Sequence, residues 1–506
     1  MSSSVARKAV RGSVWVVAAG LVARGLSVIG TLLVTRFLSP VDYGQVSAAA
    51  VVTLSANYLS QLGIGQYVAA HPRASRAETF HATAYLLAAG VVAAAATWLF
   101  REPLARLSAS PDLPAYLPGL LLAVLLDRVG LMPERVLLRE MRFRSIGVPR
   151  TLGELTFTVA SIALVARGWG GHAIVAANVL RSSLRTALMV AAADRRDWLE
   201  PHPLTRETTR KLFAFSLPMS VGVLFSFTSR NWDNLVVSAV FGPGAMGPYN
   251  LAYNLANVPA AQIGEQVGDV LLPSFARVED DKRGAALVRA TALLSLVLCP
   301  LSIGLGAISD TLVRAFFDQR WTAVAPMLTI LSVLSVTRPI GWNVATYLQA
   351  RNRPRHVMVM EGLKVVALLA FMLTLGRLSL LWMCGAAGVA FTAHALLSLA
   401  YVHRFEGVPF LPMLARIASP LLACVPMAFA VFGTRAGLGA LGLHNPWLLL
   451  GAEIAVGAVA FVPSAFVLAP AVTRDFVGLA REQLARRRGR SSTLPPPPPA
   501  GAPAAG

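Results

Sequence analysis

Apolar runs of roughly twenty residues recur along the whole chain, the length a helix needs to cross a ~30 Å hydrocarbon core. Short polar clusters separate them. Fourteen such spans can be drawn, at about 12–38, 45–69, 80–100, 114–134, 147–166, 171–193, 212–240, 245–275, 285–309, 323–349, 357–376, 379–402, 412–433 and 446–470. The division after 240 rests on Gly242-Pro243-Gly244, a turn no helix continues through. Period-two alternation is absent, which argues against an outer-membrane barrel. Lipid then leaves only helices to satisfy the backbone, so the fold class is all-α and polytopic.

Composition agrees. Of 506 residues, 55% are apolar and only 14% charged, where a soluble domain carries nearer ~25% charged residues. The net charge of +20 suggests anionic headgroups rather than nucleic acid once the arginines are placed. With the N-terminus in the cytoplasm, 30 of the 45 Lys and Arg fall on inside segments and 8 on outside loops. That asymmetry supports an even span count with both termini cytoplasmic. The first apolar stretch is too long for a signal-peptide core and lacks a small-residue cleavage site. The longest outside loop, Asp310 to Trp321, predicts an interfacial helix with Leu312, Val313, Phe316, Phe317 and Trp321 on one side. Thr473 to Arg490 predicts another, and the Pro495–Pro499 tail reads as disordered.

Offsetting the chain against itself by 203 residues reveals an internal repeat. Pro40 and Gly44 then meet Pro243 and Gly247, alongside Ser13 with Ser216, Val34 with Val237 and Gly65 with Gly268. Six spans separate the copies, so both halves share one orientation. Transporters with parallel repeats place their sites at the repeat interface.

Seven basic residues lie well inside spans, away from the span ends: Arg24, Arg128, Arg181, Arg185, Arg230, Arg338 and Lys364. Each costs at least ~2.5–3.5 kcal/mol at mid-membrane without a partner or water. Snorkelling accounts for Lys364, in the cytoplasmic half of its span. Ion pairing is the other bland account, with Asp127 beside Arg128 and Asp233 three residues from Arg230. Arg24 and Arg230 sit at comparable depth on the first helix of each half. Guanidiniums converging on a wet cavity would suit an anionic pyrophosphate. Arg24, Arg230, Arg338, Arg128 and Arg181 are therefore the candidate substrate-binding set. Asp233, Glu265 and Asp269 are candidates for a coupling ion, although Glu265 and Asp269 serve equally well as partners for loop arginines.

Enzymatic signals are missing. No Asp-x-Asp site, His-Glu-x-x-His helix, phosphate loop or nucleophile elbow occurs. The eight histidines are scattered, and Cys299, Cys384 and Cys424 match no metal spacing. No metal, cofactor or catalytic residue is expected.

Arg36-Phe-Leu-Ser-Pro-Val-Asp-Tyr-Gly44, Leu62-Gly-Ile-Gly65, Asn231-Trp-Asp-Asn-Leu-Val-Val237, Phe241-Gly-Pro243, Tyr249-Asn-Leu-Ala-Tyr-Asn254, Leu272-Pro-Ser-Phe-Ala-Arg277, Arg320-Trp321 and Ala325-Pro326 carry a resemblance. In this order the chain resembles the Wzx-type polysaccharide or lipid-linked oligosaccharide flippases of the multidrug/oligosaccharidyl-lipid/polysaccharide exporter superfamily. The resemblance covers about residues 5–470. It implies two six-helix lobes around a cationic cavity and two further C-terminal helices. The chain then divides into an N-terminus (1–11), first lobe (12–193), linker (194–211), second lobe (212–402), extra helices (403–470) and tail (471–506). The implied activity is alternating-access flipping of a polyprenyl-pyrophosphate-linked oligosaccharide across a bacterial inner membrane for exopolysaccharide, capsule or O-antigen synthesis. Membrane lipids, a polysaccharide polymerase and export machinery are the implied partners, and nucleic acid is not. The runners-up are a peptidoglycan-precursor flippase and a cation-coupled multidrug exporter. A glycan polymerase or ligase is disfavoured, because it needs a large outside loop.

Overall fold

The computed structural model describes residues 30, 32–61, 63–71, 74–140, 142–259, 279, 282–351 and 353–491. Its first-half helices are α1 (Pro40–Gln61), α2 (Ile64–Ala70), α3 (Arg76–Leu99), α4 (Arg101–Leu107), α5 (Leu113–Arg139), α6 (Phe143–Val165) and α7 (His172–Ala192). The second half begins with α8 (Arg206–Phe241) and α9 (243–259). It continues through α10 (Arg283–Ala307), α11 (Ser309–Phe316), α12 (Val324–Leu334), α13 (Arg338–Ala350), α14 (Pro354–Thr374) and α15 (Leu380–Glu406). Helices α16 (Phe410–Ala440), α17 (Pro446–Leu468) and α18 (Pro470–Ser491) close the chain. Ten helices among the described residues are long and apolar enough to cross a membrane. Together with outward-facing Phe429, Val459 and Val467, each more than 70% exposed, they make this an all-helical, multi-pass membrane protein. The spans expected at 12–38 and 245–275 extend beyond the described residues.

Local sequence explains where helices start and stop. Ser75 and Glu78 form a reciprocal capping box that opens α3, each side chain accepting from the other's backbone N–H at 3.1 Å. The expected turn is present: α8 ends at Gly242, whose φ of 81° suits glycine, and α9 begins at once. A second break, at Gly63 (φ 59°), separates α1 from α2.

The two copies of the repeated turn touch each other reciprocally. A Cβ on Gly44 would lie 1.9 Å from the Pro243 carbonyl oxygen, and one on Gly247 would lie 2.1 Å from that of Pro40. Residue i meets j′ and j meets i′, the signature of a two-fold interface. Glycine is required at both positions because only backbone faces backbone there. This end of the bundle, expected outside from the charge pattern, is fastened a second time. Trp321 is fully buried and donates through Nε1 to the Thr35 carbonyl at 2.9 Å. Arg320 Nη2 donates to the Arg36 carbonyl at 3.0 Å, and Arg36 Nε returns a bond to the Phe316 carbonyl at 3.3 Å. The 310–321 segment therefore differs from the expected interfacial helix. Its apolar residues Val313, Phe317 and Trp321 are buried in protein, and it straps second-half chain to first-half chain.

The last two spanning helices dock on the second half, α16 against α10 and α17 against α11. Arg435, expected in an outside loop, lies inside α16. Its Nε donates to Glu453 of α17 at 2.7 Å, and its Nη2 to the Ala307 carbonyl at 2.8 Å. Glu453 is fully buried and also accepts from Thr311 Oγ1 at 2.8 Å. Such a pair is held by both its charges, and removing one strands the other.

Candidate functional site

Helix α12 does not continue into α13 as one α-helix; a 3₁₀ turn, Ser335–Thr337, intervenes. Pro339 has no amide hydrogen to extend a helix across that point. Helices broken within the membrane release backbone groups and admit polar side chains, which is where transporter sites form. Arg338 emerges at this break.

Its guanidinium is fixed on several sides. Nη1 donates to Asn257 of α9, and the carbon centre lies 5.1 Å over the Tyr253 ring and 4.8 Å over the Phe391 ring. Two aromatic faces hold a cation by electrostatics without neutralising it. Nε is buried and has no hydrogen-bond partner among the described residues. Arg338 borders a partly open pocket lined also by Arg230, Trp342, Glu361, Lys364 and His394. Lys364 is bonded to Glu361 one turn earlier on α14. Among the described lining residues, three cations stand beside one carboxylate. A concave wall that mixes aromatic side chains with several cations offers charge-assisted donors to an anion.

Asp233 stands behind this wall on α8, 1% exposed. Tyr249 donates to one of its oxygens at 3.0 Å and the Asn234 amide to the other at 3.1 Å.

Of the five arginines proposed from the sequence, Arg230 and Arg338 line the same pocket. Arg128 and Arg181 lie elsewhere, in the first half. Arg128 is 1% exposed and donates through Nη2 to the Asn57 carbonyl and, at 2.6 Å, to Ser60 Oγ, near the end of α1. A cation there complements the helix dipole. Asp127 does not neutralise Arg128; adjacent positions point to different sides of a helix, and Asp127 lies 4.0 Å from Arg185 instead. Arg181 lies 3.6 Å from Glu154 and 5.3 Å from the Phe157 ring. Arg24, Glu265 and Asp269 lie outside the described residues.

Lys364, left out of the candidate set, also lines the Arg338 pocket. Its place in the cytoplasmic half of its span suggests snorkelling, yet its side chain is only 11% exposed and faces the cavity with Glu361. The i, i+3 pair of opposite charges within one span was the available signal. Tyr253 stands out only within the family pattern Tyr249 to Asn254, and Asn257 and Phe391 carry no local signal, because their contacts depend on three helices meeting at the α12–α13 break.

A family described as polysaccharide biosynthesis protein matches residues 33–326. The chain is similar to the lipopolysaccharide biosynthesis protein WzxC of Escherichia coli strain K12, 25% identical over 69% of this chain and 71% of that one. It is similar to the succinoglycan biosynthesis transport protein ExoT of Rhizobium meliloti strain 1021, 24% identical over 91% and 93%. The teichuronic acid biosynthesis protein TuaB of Bacillus subtilis strain 168 is 25% identical over 57% and 60%. Among solved structures, the lipid II flippase MurJ in an inward closed conformation superposes with a TM-score of 0.73 at 13% identity, over 92% of this chain and all of that one. An inward-facing multidrug resistance MATE family transporter of the MOP superfamily gives 0.58 at 15% identity, over 76% and 95%. These structural likenesses establish the fold, and with more than half its length matched the chain belongs to the polysaccharide biosynthesis protein family.

Proposed function

We propose that this protein is a flippase that carries a polyprenyl-pyrophosphate-linked oligosaccharide from the cytoplasmic to the outer leaflet of a bacterial inner membrane, for polysaccharide assembly. One observation carries the reading: the pocket at the α12–α13 break, where Arg338 is held between two aromatic rings beside Arg230 and Lys364. A pyrophosphate needs planar, charge-assisted donors, which a guanidinium supplies in a fork. Arg230 and Lys364 add charge from two other helices, so the anion is gripped between elements that can move relative to one another. The lipid tail stays in the bilayer, and the glycan occupies the cleft between the halves. Both termini face the cytoplasm in this account. Asp233 is the candidate for coupling to an ion, and a polymerase and export machinery would take up the product.

Deletion of the native gene and complementation by variants tests this. Arg338→Ala removes a charge-assisted contact of ~1.5–3 kcal/mol, so export per unit of membrane protein should fall at least tenfold. Arg338→Lys should recover part of it, since lysine keeps the charge but not the fork. Normal export by Arg338→Ala at normal abundance would refute the reading.

A further inference from the structure

Beside the cationic cavity runs a chain of neutral amides whose direction is fixed. Asn234 Nδ2 donates to Asp233 Oδ1 at 3.1 Å, Asn250 Nδ2 to Asn234 Oδ1 at 2.9 Å, and Asn254 Nδ2 to Asn250 Oδ1 at 2.9 Å. Amide orientation is decided by the network, and here one end is anchored. Asp233 is buried and takes the Tyr249 hydroxyl on its other oxygen. A carboxylate only accepts, so Asn234 must turn its NH₂ toward it, and each following amide is oriented in turn. The chain ends at Asn254, which is exposed and presents its carbonyl oxygen and second N–H outward.

The direction it faces follows from helix geometry. Asn254 is seven residues after Gly247, two turns on, and so shares its face of α9. That face is the one Gly247 presses against Pro40 of the first half. Asn254 therefore lies on the face of α9 turned toward the first half, about 10 Å along the helix from the glycine contact. The repeat register places Ser47 and Val51 of α1 where α9 has Asn250 and Asn254. The amide chain is thus a property of one half and not a packing need common to both.

We infer that Asn254, with Asn250 behind it, is a subsite for sugar hydroxyls of the carried glycan. A phosphate can use only the N–H of this pair and leaves the carbonyl oxygen unmatched. A metal cation would need several further oxygens. A hydroxyl both donates and accepts, matching an amide that offers one oxygen and one N–H. Neutral amides also bind hydroxyls without the desolvation that charged groups incur. The subsite rests on the flippase reading and divides its labour: cations take the pyrophosphate, and the amide chain reads the glycan.

The test uses the full chain in lipid nanodiscs with two probes, polyprenyl pyrophosphate and the same lipid carrying one hexose. Wild type should bind the sugared lipid roughly three- to tenfold more tightly, the worth of one hydrogen-bonded contact. Asn254→Leu should abolish that gain while leaving affinity for the sugar-free lipid unchanged, and Asn254→Gln should restore part of it. Retention of the gain in Asn254→Leu would overturn the subsite, as would an equal loss for both lipids. If wild type binds the sugared lipid alone and Asn254→Leu abolishes that binding, the subsite stands and the pyrophosphate reading fails. If wild type binds neither lipid, both fail together.

Discussion

Substituting alanine for Gly44 should pry the two halves apart at one end. The added Cβ would meet the Pro243 carbonyl oxygen at 1.9 Å and the Gly247 nitrogen at 3.0 Å. Both are backbone atoms, so no side chain can rotate away. Reaching an ordinary contact of 3.4 Å requires the helix starts to separate by about 1.5 Å. Overpacking of this kind costs about 1–3 kcal/mol, and it falls only on conformers in which this end is closed. Alanine's better helix propensity acts in every conformer and biases none. The closed population should therefore drop by roughly 5–150-fold relative to the open one. Gly247→Ala, 2.1 Å from the Pro40 carbonyl oxygen, should do the same. The double variant should be less than additive, because the first separation relieves the second clash. Spin labels on cysteines introduced at exposed Leu107 and Leu378 report the distance, and the three native cysteines are buried. Both single variants should lengthen and broaden the distance distribution and slow export. Unchanged distances and export at normal abundance would refute the reciprocal contact as a closing element.

Three further outcomes are expected. Arg435→Ala should destabilise the protein by about 3–5 kcal/mol by stranding buried Glu453, lowering the thermal midpoint, while Arg435→Leu with Glu453→Leu should recover most of the loss. The bond from Arg289 holds the Asp475 carboxyl below its usual value near 3.8. A depressed acid contributes above that value and is lost as pH falls through the lowered one, so docking of α18 should be constant from pH 6 to 8, while Asp475→Asn should expose α18 to protease at neutral pH. Truncation after Arg490 should leave export unchanged, because the Pro-, Ala- and Gly-rich segment removed has no core-forming pattern.

Helix identity was legible because spans of membrane length and glycine-proline turns are local signals. The break at Gly242 and the repeated Pro-x-x-x-Gly could be read directly, and the structure adds that the two copies touch. What sequence could not convey was partnership across helices. Arg435 looked like a loop residue because nothing in its neighbourhood announces Glu453, eighteen positions on. Trp321 looked interfacial because its partner, the Thr35 carbonyl, is 286 residues away. The cost of charge in lipid singles out Arg230 and Arg338 in the sequence. Their surroundings, Tyr253 and Phe391 beside Arg338 and Lys364 across the cavity, required the packed helices. The asparagines at 250 and 254 stood out only as part of a family pattern, since a hydrogen-bonded chain between α8 and α9 leaves no periodic trace.

The central claim is that the second-half cavity grips a pyrophosphate, and flipping by the purified protein tests it most directly. A fluorescent polyprenyl-pyrophosphate-linked sugar placed in one leaflet of proteoliposomes would be followed by quenching from outside. Wild type should move it across far faster than empty liposomes. Arg230→Gln, Arg338→Gln and Lys364→Gln should each slow it, and the triple variant should reduce it to the background rate while remaining folded by thermal midpoint. Wild-type flipping rates in the folded triple variant would contradict the account.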